Sequence, residues 1–243
     1  MITAEAARIA LCEALCPHAA RVADANYPTR ARFRVFDSAP ARAQDLDQGE
    51  EFTPVLSVYT RAAGWGERGG MAAYGDVENS TTIEVVGELA VLAEDEAGQF
   101  ADAMADNDPN ARIVLAGMMA QVERIVLDET GGFPFRRFVK KVTKIDLETH
   151  AVPEFGLRYQ RVFMRLTCDL VNDEFPQAGG LPPRVAEWAA SLPDGSSAKT
   201  KILALAAYFP AISYPALSNI QIGAPVGEGE EFTPYAQTGE DSQ

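Results

Sequence analysis

The chain is poor in the residues that most often announce chemistry. Its 243 residues include two histidines, His18 and His150, and three cysteines, Cys12, Cys16 and Cys168. Neither histidine falls in an HExxH spacing or a two-cysteine, two-histidine pattern, so no zinc motif is spelled out. Cys12, Cys16 and His18 stand close enough to tempt a metal reading, but no second compact cluster completes it. Structural thiols beside an incidental histidine are the ordinary alternative. Three cysteines make no disulfide framework, and Cys168 falls on an apolar strand phase, which fits a reducing context. GxGxxG and GxxxxGK[ST] are both missing, so no phosphate cradle is written into the chain. The glycines of GWGERGG lack both the strand-then-helix setting and the terminal lysine.

Basic residues are also scarce: 21 Lys and Arg stand against 35 Asp and Glu, a formal charge of -14. Such acidity argues against nonspecific wrapping of nucleic acid, while an acidic wall beside passing DNA would limit sticking. No apolar run approaches a membrane-spanning length, and MITAEAARIALCEALC has no basic region ahead of its apolar residues. The chain is therefore expected to be soluble before any assembly, with no signal peptide. Ser38 beside Asp37 has no nearby histidine, so a hydrolase would need its catalytic partners gathered by the fold. Asp45, Asp47, Glu50 and Glu51 offer carboxylates to a divalent cation, but solvated loop charges are much the more ordinary account of them. No catalytic residue, metal ligand or cofactor site is assigned, and the protein is expected not to be an enzyme.

What is present is ample material for a core, with 47% hydrophobic and 23% charged residues. LRYQRVFMRLTCDLV, Leu157 to Val171, places Val162, Met164, Leu166, Cys168 and Leu170 on one phase. Arg161, Arg165, Thr167 and Asp169 take the other, which predicts a half-buried strand. TTIEVVGELAVL, Thr81 to Leu92, repeats the pattern. Between them Asp108 is a candidate helix N-cap and Pro109 a candidate first residue. Val114, Leu115, Met118, Met119, Val122, Ile125 and Val126 form the stripe that should lie on the sheet.

A first helix is expected from Thr3 to about Cys16, with a resumption over Ala19 to Ala25. Short strands are expected at Phe33 to Phe36 and over PVLSVYT, Pro54 to Thr60. Gly64, Gly66, Gly69 and Gly70 suggest a long connection before Thr81, and Arg61 to Ser80 is the loop expected to reach a neighbour. Phe138 to Leu147 reads as an edge strand. The resulting fold class is α+β, a mostly antiparallel sheet with helices packed on one face. Residues 1–178 should form this domain. Residues 179–243 should form a Pro/Gly-rich C-terminal extension with short helices near Trp188 and Thr200 to Tyr208, then an acidic tail expected to be mobile or to be an arm ordered only by a neighbour.

Two groups stand out as contact candidates. Trp65, Arg68 and Tyr74 lie in the glycine-rich stretch, where aromatic side chains serve either as anchors for a partner or as ordinary packing. Arg136, Arg137, Lys140, Lys141 and Lys144 gather positive charge in RRFVKKVTK. They either guard a strand edge or contact an acidic neighbour.

The element order carries a resemblance. An N-terminal helix, VFDS followed by PVLSVYT, TTIEVVGELAVL, an amphipathic helix and QRVFMRLTCDLV together resemble the tail terminator family of long-tailed bacteriophages and tail-like particles, over Ala4 to Asp173. Asp37 and Ser38 occupy the short turn between the first helical region and the paired strands. The resemblance implies a hexameric ring at the head-proximal end of the tail, which stops tail-tube polymerisation and joins the tail to the head. The implied partners are other copies of the chain, the tail-tube protein and a head-completion or connector protein. DNA would pass through without sequence readout, no membrane would be involved, and the setting would be the virion neck after assembly in the host cytoplasm. The alternatives are another neck or tail-completion protein, an enzyme with a loop-built polar site, and a monomeric binding module.

Overall fold

The computed structural model describes residues 1–47, 49–71, 73, 77–95, 98–105, 108–152 and 157–210. Six strands form one sheet: β1 (Val35–Asp37), β2 (Thr53–Glu67), β3 (Val77–Asp95), β4 (Gly98–Ala103), β5 (Val139–Val152) and β6 (Leu157–Leu170). Their order is β1-β2-β3-β6-β5, with β4 also paired to β3. Among the described residues only the β1–β2 pair is parallel; the other pairs are antiparallel. This is the expected α+β class.

The alternation in sequence decides the two faces of the sheet. Ile83, Val85 and Leu89 of β3 and Val162, Met164, Leu166, Cys168 and Leu170 of β6 are buried on one face. Gly87 belongs to the same row, and a Cβ there would stand 2.3 Å from the Met119 sulfur. The missing side chain thus lets the helix above approach the strand. That helix, α3 (Pro109–Leu127), starts as expected: the Asp108 carboxylate accepts hydrogen bonds from the Asn110 and Ala111 amides at 2.9 and 3.2 Å.

The other cover is α1 (Ile2–Leu15), buried nearly all round, with Ala4, Ala6, Ala7, Ala10 and Ala14 allowing close approach. Thr3 does not cap it. Asp173, just past β6, accepts from the Ile2 and Thr3 amides at 2.9 and 2.8 Å. The cap comes from a residue far away in sequence, which local pattern cannot reveal. After α1, the chain resumes as α2 (His18–Ala23).

Two further expectations change. The connection from Arg61 to Ser80 is mostly a paired ribbon, because β2 runs to Glu67 and β3 begins at Val77. Gly64 and Gly66 sit in β2, held by the ladder with β3, whereas Gly69, at positive φ, and Gly70 lie in the turn beyond it. The turn at Gly179 and Gly180, both at positive φ, does not end the domain. α5 (Pro183–Ser191) and α6 (Ser197–Ala206) place Leu181, Val185, Trp188, Ala189 and Ile202 in the same core as the sheet. Trp188 meets Phe138 edge to face, with ring centroids 5.3 Å apart. The compact unit spans Met1–Ile212. The expected acidic tail lies outside the described residues.

Candidate functional site

Among the described residues the sheet has two open edges. β1 covers only Leu56 to Val58 of β2, so the second half of β2, from Tyr59 to Glu67, has no strand on its outer side among the described residues. It reads YTRAAGWGE, with Trp65 66% exposed. At the opposite edge stands β5, paired to β6 on its inner side with three register shifts. The two edges differ in kind. β5 carries lysines and irregularities, the usual protection against unwanted pairing, whereas β2 beyond its single shift near Arg61 offers small residues and a tryptophan.

The contact candidates divide between these edges. Trp65 and Arg68 lie on the β2 side. Trp65 lines a hollow of about 420 Å³ with Met1, Val77 and Phe175, and Arg68 pairs with Glu78 at 3.1 Å. Tyr74 lies outside the described residues. Lys140, Lys141 and Lys144 are exposed on β5, and Lys144 pairs with Asp146 at 2.9 Å. The remaining two members of the basic run turn inward. α4 (Phe133–Arg136) lets Arg136 donate to the Ile125, Val126 and Glu129 carbonyls at 2.9, 3.1 and 2.6 Å. Arg136 therefore closes the C-terminal end of α3, where a cation is favoured. Arg137 pairs with Glu187 of α5. The run that looks continuous in sequence is thus part structural and part edge.

The face of the sheet away from α1 and α3 is crossed by a line of charges that neutralise one another. Glu84 on β3 accepts from Arg61 of β2 at 2.7 Å and from Arg165 of β6 at 2.8 Å, and Arg165 reaches Glu148 of β5 at 2.7 Å. Burial would raise the Glu84 carboxyl, but the two arginines outweigh it and hold it below the usual glutamate range. A second line joins Arg161 to Glu88 at 2.7 Å and to Asp102 of β4 at 3.6 Å. His150 lies between the rings of Tyr159 and Phe163, at 5.5 and 5.8 Å.

The residues that tempted a metal or catalytic reading surround a cavity of about 400 Å³ among α1, α2, β1 and α6, lined by Cys12, Cys16, His18, Asp37 and Lys201 among others. Burial pushes the Cys12 thiol up to about 12, so it stays protonated near neutrality and is a poor nucleophile or ligand. Asp37 is ion-paired with both Arg8 and Lys201. Ser38 stands 3.3 Å from the Asp37 carboxylate in a left-handed conformation, φ 56°. Arg42 and Arg34 pair with Asp45 and Asp47, so two of the four loop carboxylates are already neutralised. Among the described residues no three His, Cys, Asp or Glu side chains are grouped to hold a metal ion.

No family model, curated protein or solved structure matches this chain. Its functional reading therefore rests on the residues and their placement. Two features of that placement escape sequence reasoning: the free half of β2, concealed by its glycines, and the Arg61–Glu84–Arg165–Glu148 line. The second had a partial signal, since Glu84 and Arg165 fall on the polar phases of their strands.

Proposed function

We propose that this chain is a structural protein of a long-tailed bacteriophage or tail-like particle, a tail terminator that forms a ring at the head-proximal end of the tail. The observation that carries the reading is a layer with distinct ends. The β2–β3 ribbon leaves one end of the sheet, while the β3–β4 and β5–β6 ribbons leave the other. One set of ribbons would dock on the last tube layer and the other on the head connector. In this reading termination is binding rather than bond chemistry: the ring covers the exposed edges of the tube and presents a face that does not recruit another tube layer.

The half-buried, protonated Cys12 and the neutralised Asp37 support an assembly role over a catalytic one. The cancelled charges on the sheet face away from α1 and α3, together with the acidic total, suit a collar through which DNA passes without being held. Electron microscopy tests the proposal. The purified full chain, mixed with tubes of a tail-tube protein from the same particle, should form rings seated at one tube end and stop elongation. Tubes that lengthen unchanged, with no ring at either end, would rule it out.

A further inference from the structure

The ring reading leaves its seam unspecified, and the two open edges supply one. Across the sheet, the ladders set residues of β2 and β5 on common rows. Trp65, Asn79, Leu170 and Val139 make one row; Gly64, Ser80, Asp169 and Lys141 the next; Ala62, Thr82, Thr167 and Lys144 another. The free half of β2 and the first half of β5 therefore flank the same part of the sheet. They also run in opposite senses, because β2 and β6 are each antiparallel to β3 and β5 is antiparallel to β6. When copies are related by rotation about an axis along the strands, β5 of one copy meets β2 of the next at the same height and antiparallel. That is the geometry of a sheet ladder without a rise between copies.

We propose that the free half of β2, Arg61 to Glu67, pairs with the Val139–Asp146 stretch of β5 in a second copy of this chain, continuing the sheet from copy to copy. The inference rests on the ring reading and names its seam.

Size agrees with this register, and charge agrees at the Glu67 end. Glu67 lies beyond the Trp65 row, and the nearest cation on the partner strand is Lys140, next to Val139. Arg61, at the bulge of β2, lies between the rows of Lys144 and Ile145, and Asp146 falls on the Tyr59 row. Ala62 and Gly64 fall opposite the long side chains of Lys144 and Lys141, and Trp65 falls beside Val139, large against small. The two alternatives within the same pair of edges are weaker. β5 against β5 would set lysine against lysine, which is the effect of charged edge residues. β2 against β2 would leave the cationic edges with no acidic strand to meet.

Disulfide trapping tests the seam in the full chain. Gly64 has open space where a side chain would stand, and Lys141 is exposed, so G64C/K141C should fold with an unchanged circular dichroism spectrum. On oxidation it should give a covalent ladder closing at the number of copies found by native mass spectrometry, while G64C/T149C, displaced along β5, should give none. G64K should abolish the assembly and leave the melting of the protomer intact. A ring that forms without trapping by G64C/K141C overturns the seam and leaves the ring reading standing. Covalent dimers from G64C alone likewise overturn it, in favour of β2 against β2. A chain that stays monomeric in every preparation, including particle-bound material, removes the ring reading and the seam with it.

Discussion

Arg136 carries two meanings that only its surroundings separate. In sequence it belongs to a cationic patch; in the fold it donates to three carbonyls at the end of α3. A charged hydrogen bond contributes roughly 1.5–3 kcal/mol, and carbonyls left without donors when buried cost a similar amount. Arg136→Met should therefore lower stability by about 2–3 kcal/mol in denaturant unfolding while leaving the outer edges unaltered. Gly132→Ala should cost at least as much, because its Cβ would stand 1.8 Å from the Ile125 carbonyl oxygen. If Arg136→Met were neutral for folding yet blocked assembly, the residue would belong to the contact surface instead.

Asp173 makes the same point with a pH signature. Burial would raise its carboxyl, but hydrogen bonds from the N-terminal ammonium and Thr3 outweigh that cost and hold it below the usual aspartate range. A folded value below the unfolded one means that the stabilisation is present above the unfolded value and is lost as pH falls through the folded value. Asp173→Asn should thus be destabilised near neutrality, and the gap to the unaltered protein should narrow in acid. The thiols follow similar reasoning. Burial pushes both Cys12 and Cys168 up to about 12, so alkylation of either by iodoacetamide should be slow in the native protein and fast after unfolding, as read by mass spectrometry.

At the scale of elements, α5 and α6 decide what counts as the domain. Trp188 is buried against Phe138, and Leu181, Val185 and Ile202 share the core with α1 and the sheet. A chain ending at residue 178 would expose Phe138 and one side of α1, and it should fail to melt cooperatively by circular dichroism. Trp188→Ala in the full chain should cost about 3–5 kcal/mol, the usual range for deleting a buried aromatic side chain. Independent, cooperative folding of the truncated chain would restore the boundary read from Gly179. The sequence conceals this because Gly179 and Gly180 have the composition of a linker, yet here they form a turn. The Gly180 amide donates to the Phe209 carbonyl at 3.0 Å. Where one face of an element is wet, the pattern is legible: β6 alternates, and α3 has its stripe and its Asp108 cap. Where the partner is remote, the pattern fails. α1 is buried nearly all round and capped by Asp173, β2 runs on through GWG because β3 holds it, and QFADA in β4 has no alternation to announce it. The contact candidates divide in the same way, since nothing local distinguishes Arg136, turned onto α3, from Lys140, turned outward.

For the whole molecule, the lysines of β5 separate assembly from folding. Lys140 and Lys141 are exposed and hold no ion pair among the described residues, and the Lys144–Asp146 pair is an exposed one worth about 0–1 kcal/mol. Reversing all three to glutamate should therefore leave the unfolding midpoint of the protomer nearly unchanged, since surface substitutions away from the core usually stay within about 0.5 kcal/mol. The reversal should instead weaken ring formation and tail attachment, because it turns the cationic edge of β5 acidic in a chain whose total charge is already -14. Added salt screens exposed charges over a Debye length of about 10 Å at 0.1 M. The difference between reversed and unaltered protein should accordingly be largest at low ionic strength and shrink as salt rises, in a particle-reconstitution assay paired with native mass spectrometry. Assembly that proceeds equally in both proteins at low salt would assign these lysines to edge protection alone. The backbone pairing and Trp65 would then have to specify the neighbour.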